Sequence, residues 1–370
     1  MVAVPHRPAP VRPAYDGAWI GGIVPGLQSP TPPEWLPDVA AAASRVVVLV
    51  LDGLGWTMLR DHAAEMPTLS GMDGGSITCA APSTTAAGLP SITTGLTPAE
   101  HGLLGYRIGM DAGVLNVLAW RLDSGKRGPE PETIQPHPSF GGKTVPVVVK
   151  AEFEGSGFTG AHLPGNSMRG WQTPAVLREQ VRLALAEDAR VVYAYYDGID
   201  KVAHPHGLHG PFFTTELRDT DRLVSELLDI VPRDGALVVT ADHGHVEVGP
   251  DQIREVDVDS RLVRRLAGES RFRSVYARTN KQKALYEACM EAHSEESWVF
   301  TREELFDDGW LGEGGPVHHH RRVGDVVLAP FADIGFADPA TPRENNMASR
   351  HGSLTEREML VPLLAAPGRA

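Results

Sequence analysis

The stretch that decides the fold is Arg45-Val-Val-Val-Leu-Val-Leu51, followed at once by Asp52-Gly53-Leu54-Gly55. A continuous run of β-branched and aliphatic residues is typical of a strand buried on both faces of a parallel sheet. The glycines after it predict a turn that leads into a helix. The acidic residue at the strand end bears on function, because open α/β sheets bind ligands beyond the carboxyl ends of their strands.

The same pattern occurs twice more along the chain. The apolar run 190–196 ends at Asp197, and the run 236–241 ends at Asp242. Residues 174–187 and 211–231 have the periodicity of amphipathic helices. In the second of these, one face carries Leu217, Leu223, Val224, Leu227, Leu228 and Val231. Alternating strands and helices predict an α/β fold with a mostly parallel central sheet and helices on both faces.

Composition shifts along the chain predict its organisation. Residues 1–35 are rich in proline and predict an irregular N-terminal arm. Residues 36–248 and 323–370 predict one core. Residues 249–322 have shorter apolar runs and more charge, which favours a small inserted cap. We expect the apolar run 322–329 to return to the main sheet.

The overall composition excludes several classes of protein. Lysine plus arginine is 34 and aspartate plus glutamate is 47, so the net charge is −13. Such a chain is a poor ligand for nucleic acid or an anionic membrane, and we expect neither partner. The two cysteines, Cys79 and Cys289, exclude a disulfide framework and a Cys-x-x-Cys zinc site. The first residues carry proline and arginine where a signal peptide has its apolar segment, so we expect a cytoplasmic protein.

Three short motifs carry residues that bind metals. Asp200 and His204 are four residues apart, so on a helix both face one side. Asp242 and His243 are adjacent at a strand end, and His351 precedes a glycine. Each motif alone has an ordinary structural explanation, such as a turn, a surface pair or a loop histidine. Asp197 is an alternative to Asp200 as a ligand.

A hydroxyl-rich segment separates the first strand from these motifs. Pro82 is followed by Ser83, Thr84 and Thr85 and then by small apolar residues, which predicts a loop that runs into a helix. A hydroxyl there can cap the helix, or it can lie where free N–H groups attract an anion. The residues alone leave both roles open.

The combination of these motifs resembles the alkaline phosphatase superfamily, and within it the nucleotide pyrophosphatase/phosphodiesterase branch. The motifs are Asp52-Gly53, Pro82-Ser-Thr-Thr85 with Thr94-Gly-Leu-x-Pro-x-x-His-Gly102, Asp200-x-x-x-His204, Asp242-His243-Gly244 and His351-Gly352. The resemblance covers residues 45–365. It implies an alkaline-phosphatase-like three-layer sandwich with a small inserted cap, and two bound divalent metals, usually zinc. Manganese or iron are alternatives, because mixed histidine and aspartate ligands accept several metals.

The resemblance also implies a role for each motif residue. Asp52, Asp242 and His243 would bind one metal together with the hydroxyl of Thr85. The other metal would be bound by Asp200, His204 and His351. Thr85 would be the nucleophile, because in the family the nucleophile stands ten residues before the glycine that is Gly95 here. Thr84 is the alternative nucleophile.

The sequence departs from the family pattern after the nucleophile. Ala86-Ala87-Gly88 replaces Phe-Pro-Asn, so the asparagine that would contact phosphate is missing and Gly88 would offer only its N–H. Aromatic residues that line a substrate pocket are not identifiable, and Tyr106, Trp120 and Trp171 are more typical of core or surface. The Cys-x-Pro-x-Arg signature of sulfatases is absent around Cys79. His318, His319 and His320 are interpreted as a solvated loop rather than a third metal site.

These observations predict a two-metal hydrolase that cleaves a phosphodiester or pyrophosphate bond of a small molecule through a phospho-threonine intermediate. The first alternative is another chemistry on the same core: a phosphomonoesterase, a phosphonate hydrolase or a phosphomutase. The second alternative is an inactive metal-binding module.

Overall fold

The structure is a computed structural model and describes residues 7–187 and 189–370. Within these residues the strands, in chain order, are β1 (Val46–Leu51), β2 (Asp73–Thr78), β3 (Arg107–Met110), β4 (Gly113–Asn116), β5 (Arg121–Leu122), β6 (Val147–Lys150), β7 (Met168–Trp171), β8 (Val191–Tyr196), β9 (Ala236–Thr240), β10 (Val246–Glu247), β11 (Ile253–Arg254), β12 (Val263–Glu269), β13 (Phe272–Ala277), β14 (Ser297–Thr301), β15 (Val326–Pro330), β16 (Gly335–Phe336), β17 (Ser349–Arg350) and β18 (Leu360–Pro367).

The helices of the same residues are α1 (Ile23–Gln28), α2 (Asp38–Ala42), α3 (Trp56–Asp61), α4 (Pro67–Ser70), α5 (Thr85–Thr94), α6 (Pro98–His101), α7 (Pro131–Ile134), α8 (Gly157–His162), α9 (Pro174–Ala184), α10 (Gly198–His206), α11 (Pro211–Leu228), α12 (Gln282–His293), α13 (Arg302–Asp307) and α14 (Glu356–Met359). None of these helices is both long and apolar enough to cross a membrane.

A central sheet of seven strands has the order β2-β18-β9-β1-β8-β6-β7 in the described part of the chain. The strand β18 is antiparallel to both of its neighbours, and the other strands share one direction. Every residue of β1, β8 and β9 is buried, as expected for strands covered on both faces. The predicted α/β fold, a mostly parallel sheet between layers of helices, is confirmed.

The long elements agree with the sequence prediction. The apolar runs at 45–51, 190–196 and 236–241 form β1, β8 and β9, and the two periodic segments form α9 and α11. The apolar face predicted for α11, which continues to Val231, is buried. Uniformly apolar runs and helical periodicity in the sequence therefore located these elements correctly.

A second sheet, β12-β13-β15-β14, is antiparallel. The prediction that residues 322–329 return to the main sheet is wrong, because β15 pairs with β13 and β14. The strand β15 is buried on both faces although it lies outside the main sheet. On one face Val327 and Ala329 belong to the main core, and on the other Val326 and Leu328 belong to a small core under α12. The division into 36–248 with 323–370 and 249–322 stays a prediction.

Two segments expected to be irregular or solvated are partly buried. In the arm, residues 1–6 lie outside the described residues, but Ile20, Ile23, Val24 and Leu27 are buried around α1. Their helical spacing was obscured by the surrounding prolines. At the other segment, His319 is buried and its Nδ1 donates to the carbonyl of Ala99 (2.8 Å). The solvated-loop interpretation is therefore wrong for His319, whose burial in a short helical turn no local pattern indicates.

Candidate active site

Three neighbouring strands bring the acidic residues of the site together. The strands β9, β1 and β8 are adjacent and parallel, so their carboxyl ends meet at one edge of the sheet. Asp52 directly follows β1, Asp242 follows β9 by two residues, and Asp200 lies in the first turn of α10 after β8. The sheet topology thus assembles at one point three carboxylates that are far apart in sequence.

Three potential metal-ligand clusters exist among the described residues, and all lie at this site. They are Asp52 with Asp242 and His243, Asp200 with His243 and His351, and Asp200 with His204 and His245, and the ligand atoms of each cluster lie within 4.8 Å of one another. The six metal ligands predicted apart from Thr85 are therefore close together. His245, which the sequence analysis did not select, joins them.

Three of the histidines present the same nitrogen to the site. The Nδ1 atom of His204 lies 3.0 Å from the carbonyl of Ser349, that of His243 3.1 Å from the carbonyl of Gly244, and that of His351 2.9 Å from the carbonyl of Ser83. A carbonyl oxygen only accepts, so Nδ1 carries the proton in each ring. The lone pair of Nε2 in His243 and His351 is thus left for a metal. Nε2 of His204 lies 3.2 Å from Oδ1 of Asp200, where it donates to that carboxylate when protonated and is placed to bind a cation together with it when deprotonated.

His245 has the opposite arrangement. Its Nε2 lies 2.9 Å from Oδ1 of Asp200, and its Nδ1 lies 3.2 Å from the hydroxyl of Ser349. An ionised carboxylate accepts only, so Nε2–H donates to Asp200 and Nδ1 accepts from Ser349. His245 thus orients Asp200 and has no lone pair directed at a metal. Adjacent chemistry-bearing residues in Asp242-His243-Gly244-His245 were the signal that could have identified it.

Two carboxylate oxygens at the site lack any partner. Oδ1 of Asp52 and Oδ2 of Asp242 are buried and accept no hydrogen bond from the described residues. The other oxygens are satisfied, since Oδ2 of Asp52 accepts from Tyr195 and Oδ1 of Asp242 accepts from the N–H of Gly53 (3.3 Å). A buried anionic oxygen without a donor is costly unless a cation binds it. Both oxygens point to a divalent ion beside His243, so the residues fit the metals that the resemblance implies.

The protonation equilibria show the same uncompensated charge. Burial raises the pKa of Asp52 well above its usual range, and the neighbouring Asp242 and Asp200 add to the rise. Burial also raises the pKa of Asp242, against the opposing effect of His243. For Asp200 burial is outweighed by His204 and His245, which hold its pKa well below its usual range. A metal would relieve the first two groups by supplying positive charge.

Thr85 is the hydroxyl that meets these ligands. It is the first residue of α5, and its Oγ1 lies 3.1 Å from Nε2 of His243. First-turn N–H groups of a helix have no acceptor within the helix, so this position favours an anion. Thr84 precedes the helix, is 1% exposed and makes no cap bond. The geometry favours Thr85 over Thr84 as the reacting hydroxyl.

Gly88 does not play the predicted role. Its N–H donates to the carbonyl of Thr84 (2.8 Å) and is therefore unavailable to a substrate. A Cβ at this position would lie only 2.8 Å from both Cβ and O of Asp242. The glycine instead lets α5 approach the Asp242 loop closely, which brings Thr85 to its ligands.

The other candidates lie outside the metal cluster. Asp197 is buried but binds the amines of Lys150 (2.9 Å) and Lys201 (3.1 Å), so it is not placed as a ligand. Trp120 and Trp171 are buried in the core. Tyr106 does line a cavity of the site.

Two cavities flank Thr85, and both reach Asp200 and Leu118. The larger, of about 510 Å³, extends beside Asp52 and has apolar and aromatic walls that include Phe153, Phe158 and Tyr195. The smaller, of about 260 Å³, extends beside His204 and His351. Phe153 and Phe158 lie in short helical segments, where an isolated aromatic residue gives no sequence signal, and the sequence analysis therefore did not find these walls.

Comparisons with known proteins bear on the family and on the fold of the chain. The family model described as type I phosphodiesterase / nucleotide pyrophosphatase matches residues 46–354, a range that includes every predicted ligand. No curated protein matches significantly by sequence. Among solved structures, an inactive threonine-to-alanine variant of murine ectonucleotide pyrophosphatase/phosphodiesterase 5 in complex with AMP has a TM-score of 0.67 at 15% identity, over 86% of this chain and 87% of that one. The human counterpart has a TM-score of 0.66 at 13% identity, over 87% of each chain.

Proposed function

Because the chain belongs to the type I phosphodiesterase / nucleotide pyrophosphatase family, we propose that it hydrolyses a phosphodiester or pyrophosphate bond of a small molecule with two divalent metals and Thr85 as nucleophile. The observation that carries the proposal is the position of the Thr85 hydroxyl, 3.1 Å from His243 and at the head of α5. Asp52, Asp242 and His243 would hold one metal, and Asp200, His204 and His351 the other. Zinc suits this mixture of carboxylate and imidazole, and manganese or iron are alternatives.

The bound metals would lower the pKa of the Thr85 hydroxyl and offset the charge of the phosphoryl group. The three aspartates and an ionised threonine carry four negative charges, which two divalent ions balance. An anionic substrate therefore meets a nearly neutral site in an acidic protein. Thr85 attacks phosphorus in line with the departing oxygen and forms a phospho-threonine, which water then hydrolyses.

The two cavities favour a diester over a monoester. A diester or pyrophosphate carries a substituent on each side of the reacting phosphorus, and Thr85 lies at the junction of two spaces. The larger cavity, with Phe153 and Phe158, suits a flat or apolar group. Since a murine relative of the same fold is seen with AMP, a nucleoside is one candidate for this substituent. A monoester would leave one cavity without a group.

The test is hydrolysis of bis-p-nitrophenyl phosphate and p-nitrophenyl phosphate by the zinc-loaded protein, with Thr85→Ala and the matched variant Thr84→Ala. We expect faster cleavage of the diester and a loss of about a thousandfold or more in Thr85→Ala. Thr84→Ala should retain most of the activity. Mass spectrometry of the acid-quenched reaction should find phosphate on the peptide that contains Thr85.

Each other outcome selects an alternative. Preference for the monoester would identify a phosphomonoesterase on the same core. Activity lost in Thr84→Ala but retained in Thr85→Ala would move the nucleophile by one residue. A protein that binds zinc tightly yet cleaves neither ester nor a phosphonate would be a metal-binding module.

A further inference from the structure

A buried carboxylate that the proposed chemistry does not use lies at the end of β12. Glu269 is 5% exposed, and its Oε1 accepts the N–H of Tyr106. Its Oε2 is buried and makes no hydrogen bond of normal geometry with the described residues. Burial raises the pKa of Glu269 to about 7, although the N–H of Tyr106 and the side chain of Thr84 oppose the rise. An acceptor left unpaired in the interior is costly, and a ligand that donates to it recovers that cost.

The position of Glu269 connects it to the reaction site. Glu269 lines the smaller cavity, whose wall also includes Thr85, His204 and His351. Gly105 leaves room for the carboxylate, since a Cβ there would lie 3.0 Å from Oε1 and 3.2 Å from Oε2. A substituent on a phosphorus bound at Thr85 therefore enters the cavity that Glu269 lines.

The charges around the smaller cavity favour a positive ligand group. Glu269, Glu344 and the predicted metal ligand Asp200 line it, against the single arginine Arg350. Behind this wall, Arg107 and Arg273 are both paired with the buried Asp338. The guanidinium of Arg350 already donates to the carbonyls of Val248, Met347 and Glu344, which leaves only its Nε without a partner. A hydroxyl on the ligand would satisfy the hydrogen bond of Glu269, whereas an ammonium would also offset the excess of carboxylates.

We propose that the smaller cavity binds an amine-bearing substituent of the phosphate ester, with the ammonium group held by the free oxygen of Glu269. The proposal rests on the hydrolase function, because it assumes that the phosphoryl group is bound at Thr85. It assigns a specificity-determining role to Glu269 and a substrate class to the protein: small phosphate esters that carry a primary amine. The volume of about 260 Å³ suits a short substituent rather than a nucleobase with its sugar.

The experiment is titration calorimetry of the zinc-loaded full chain with O-phosphoethanolamine and with ethyl phosphate, which differ by the ammonium group. We expect the amine to bind at least about tenfold more tightly, as for a charge-assisted hydrogen bond in a buried site. In Glu269→Gln, which keeps the size of the side chain, the ratio should fall to about one. The matched control is Glu356→Gln, an exposed carboxylate that lines neither cavity, which should keep the ratio of the unmodified protein.

Equal affinities of the unmodified protein for O-phosphoethanolamine and ethyl phosphate would overturn the proposal. This outcome needs no variant, so it can be tested even if Glu269→Gln does not fold. A ratio that survives in Glu269→Gln, with the protein folded by circular dichroism, would overturn it as well. If neither ester binds but bis-p-nitrophenyl phosphate is cleaved, the proposal fails and the hydrolase function stands. If neither binds and no diester is cleaved, the hydrolase function itself fails.

Discussion

Replacement of Gly88 by alanine tests how the helix that carries Thr85 is positioned. Alanine in a helix is ordinarily about 1 kcal/mol more stable than glycine. Here, however, the new Cβ would lie 2.8 Å from both Cβ and O of Asp242, whose side chain is buried and fixed at the end of β9. Relief of that contact requires α5 and the Asp242 loop to separate by several tenths of an ångström. Overpacking of this kind costs about 1–3 kcal/mol.

The gain in helix propensity and the cost of the contact with Asp242 oppose each other, and the cost should be the larger of the two. The net loss in free energy of unfolding should be up to about 2 kcal/mol, which for a chain of this length lowers Tm by about 1–3 °C. The effect on activity should be larger than the effect on stability. A displacement of Thr85 relative to Asp242 disturbs the alignment of nucleophile and ligands, and a shift approaching 1 Å costs about a hundredfold in rate. We therefore expect Gly88→Ala to lose about tenfold to a hundredfold in kcat.

The assay combines thermal unfolding with turnover of bis-p-nitrophenyl phosphate at saturating zinc. The matched control is Gly75→Ala, because a Cβ at Gly75 has no atom within 4 Å and the residue lies in the edge strand β2. Gly75→Ala should change neither Tm nor kcat appreciably. A Gly88→Ala protein that is more stable than the original and fully active would refute the reasoning, since helix propensity alone would then describe this position.

Further predictions concern stability. Glu358→Gln leaves the buried Arg271 guanidinium without its charged partner (2.7 and 2.8 Å) and should lower the free energy of unfolding in urea by about 3–5 kcal/mol. The control Glu356→Gln, at an exposed position, should change it hardly at all. A loss below about 1 kcal/mol in Glu358→Gln would contradict this prediction. Burial lowers the pKa of His101 to about 3, whereas in the unfolded chain it is near 6.5, so below pH 6.5 only the unfolded state binds the proton and the folded state loses stability. Between pH 7.5 and pH 5 this group should lower the free energy of unfolding by about 2 kcal/mol. The stability of His101→Gln should therefore depend less on pH, by the same amount. Chelation of metal should lower Tm, and zinc at a hundredfold excess over its Kd should restore about 2.7 kcal/mol; a Tm that no divalent metal changes would argue against the metal site.

The sequence by itself determined the parts of the molecule that follow from local pattern. Uniform apolar runs such as 45–51 predict buried parallel strands because only such strands need no polar face. The i, i+4 spacing of Asp200 and His204 placed both side chains on one turn of α10. The adjacent parallel strands of an α/β sheet then required the strand-end residues Asp52 and Asp242 to meet. The predicted ligands were found together for this reason.

Only the tertiary structure decided what depends on contacts between distant segments. The partners of β15, the burial of His319 and the close approach of Gly88 to Asp242 each depend on residues far away in the chain. Glu269 has the same explanation: it ends the strand β12, and its importance arises because Tyr106 takes one oxygen while the other is buried at the cavity that Thr85 also lines. Local periodicity shows which face of an element is buried, but it carries no information about which other element covers that face. The covering element supplies or withholds the hydrogen-bond donors of a buried carboxylate, so only the tertiary structure distinguishes a paired carboxylate from a free one.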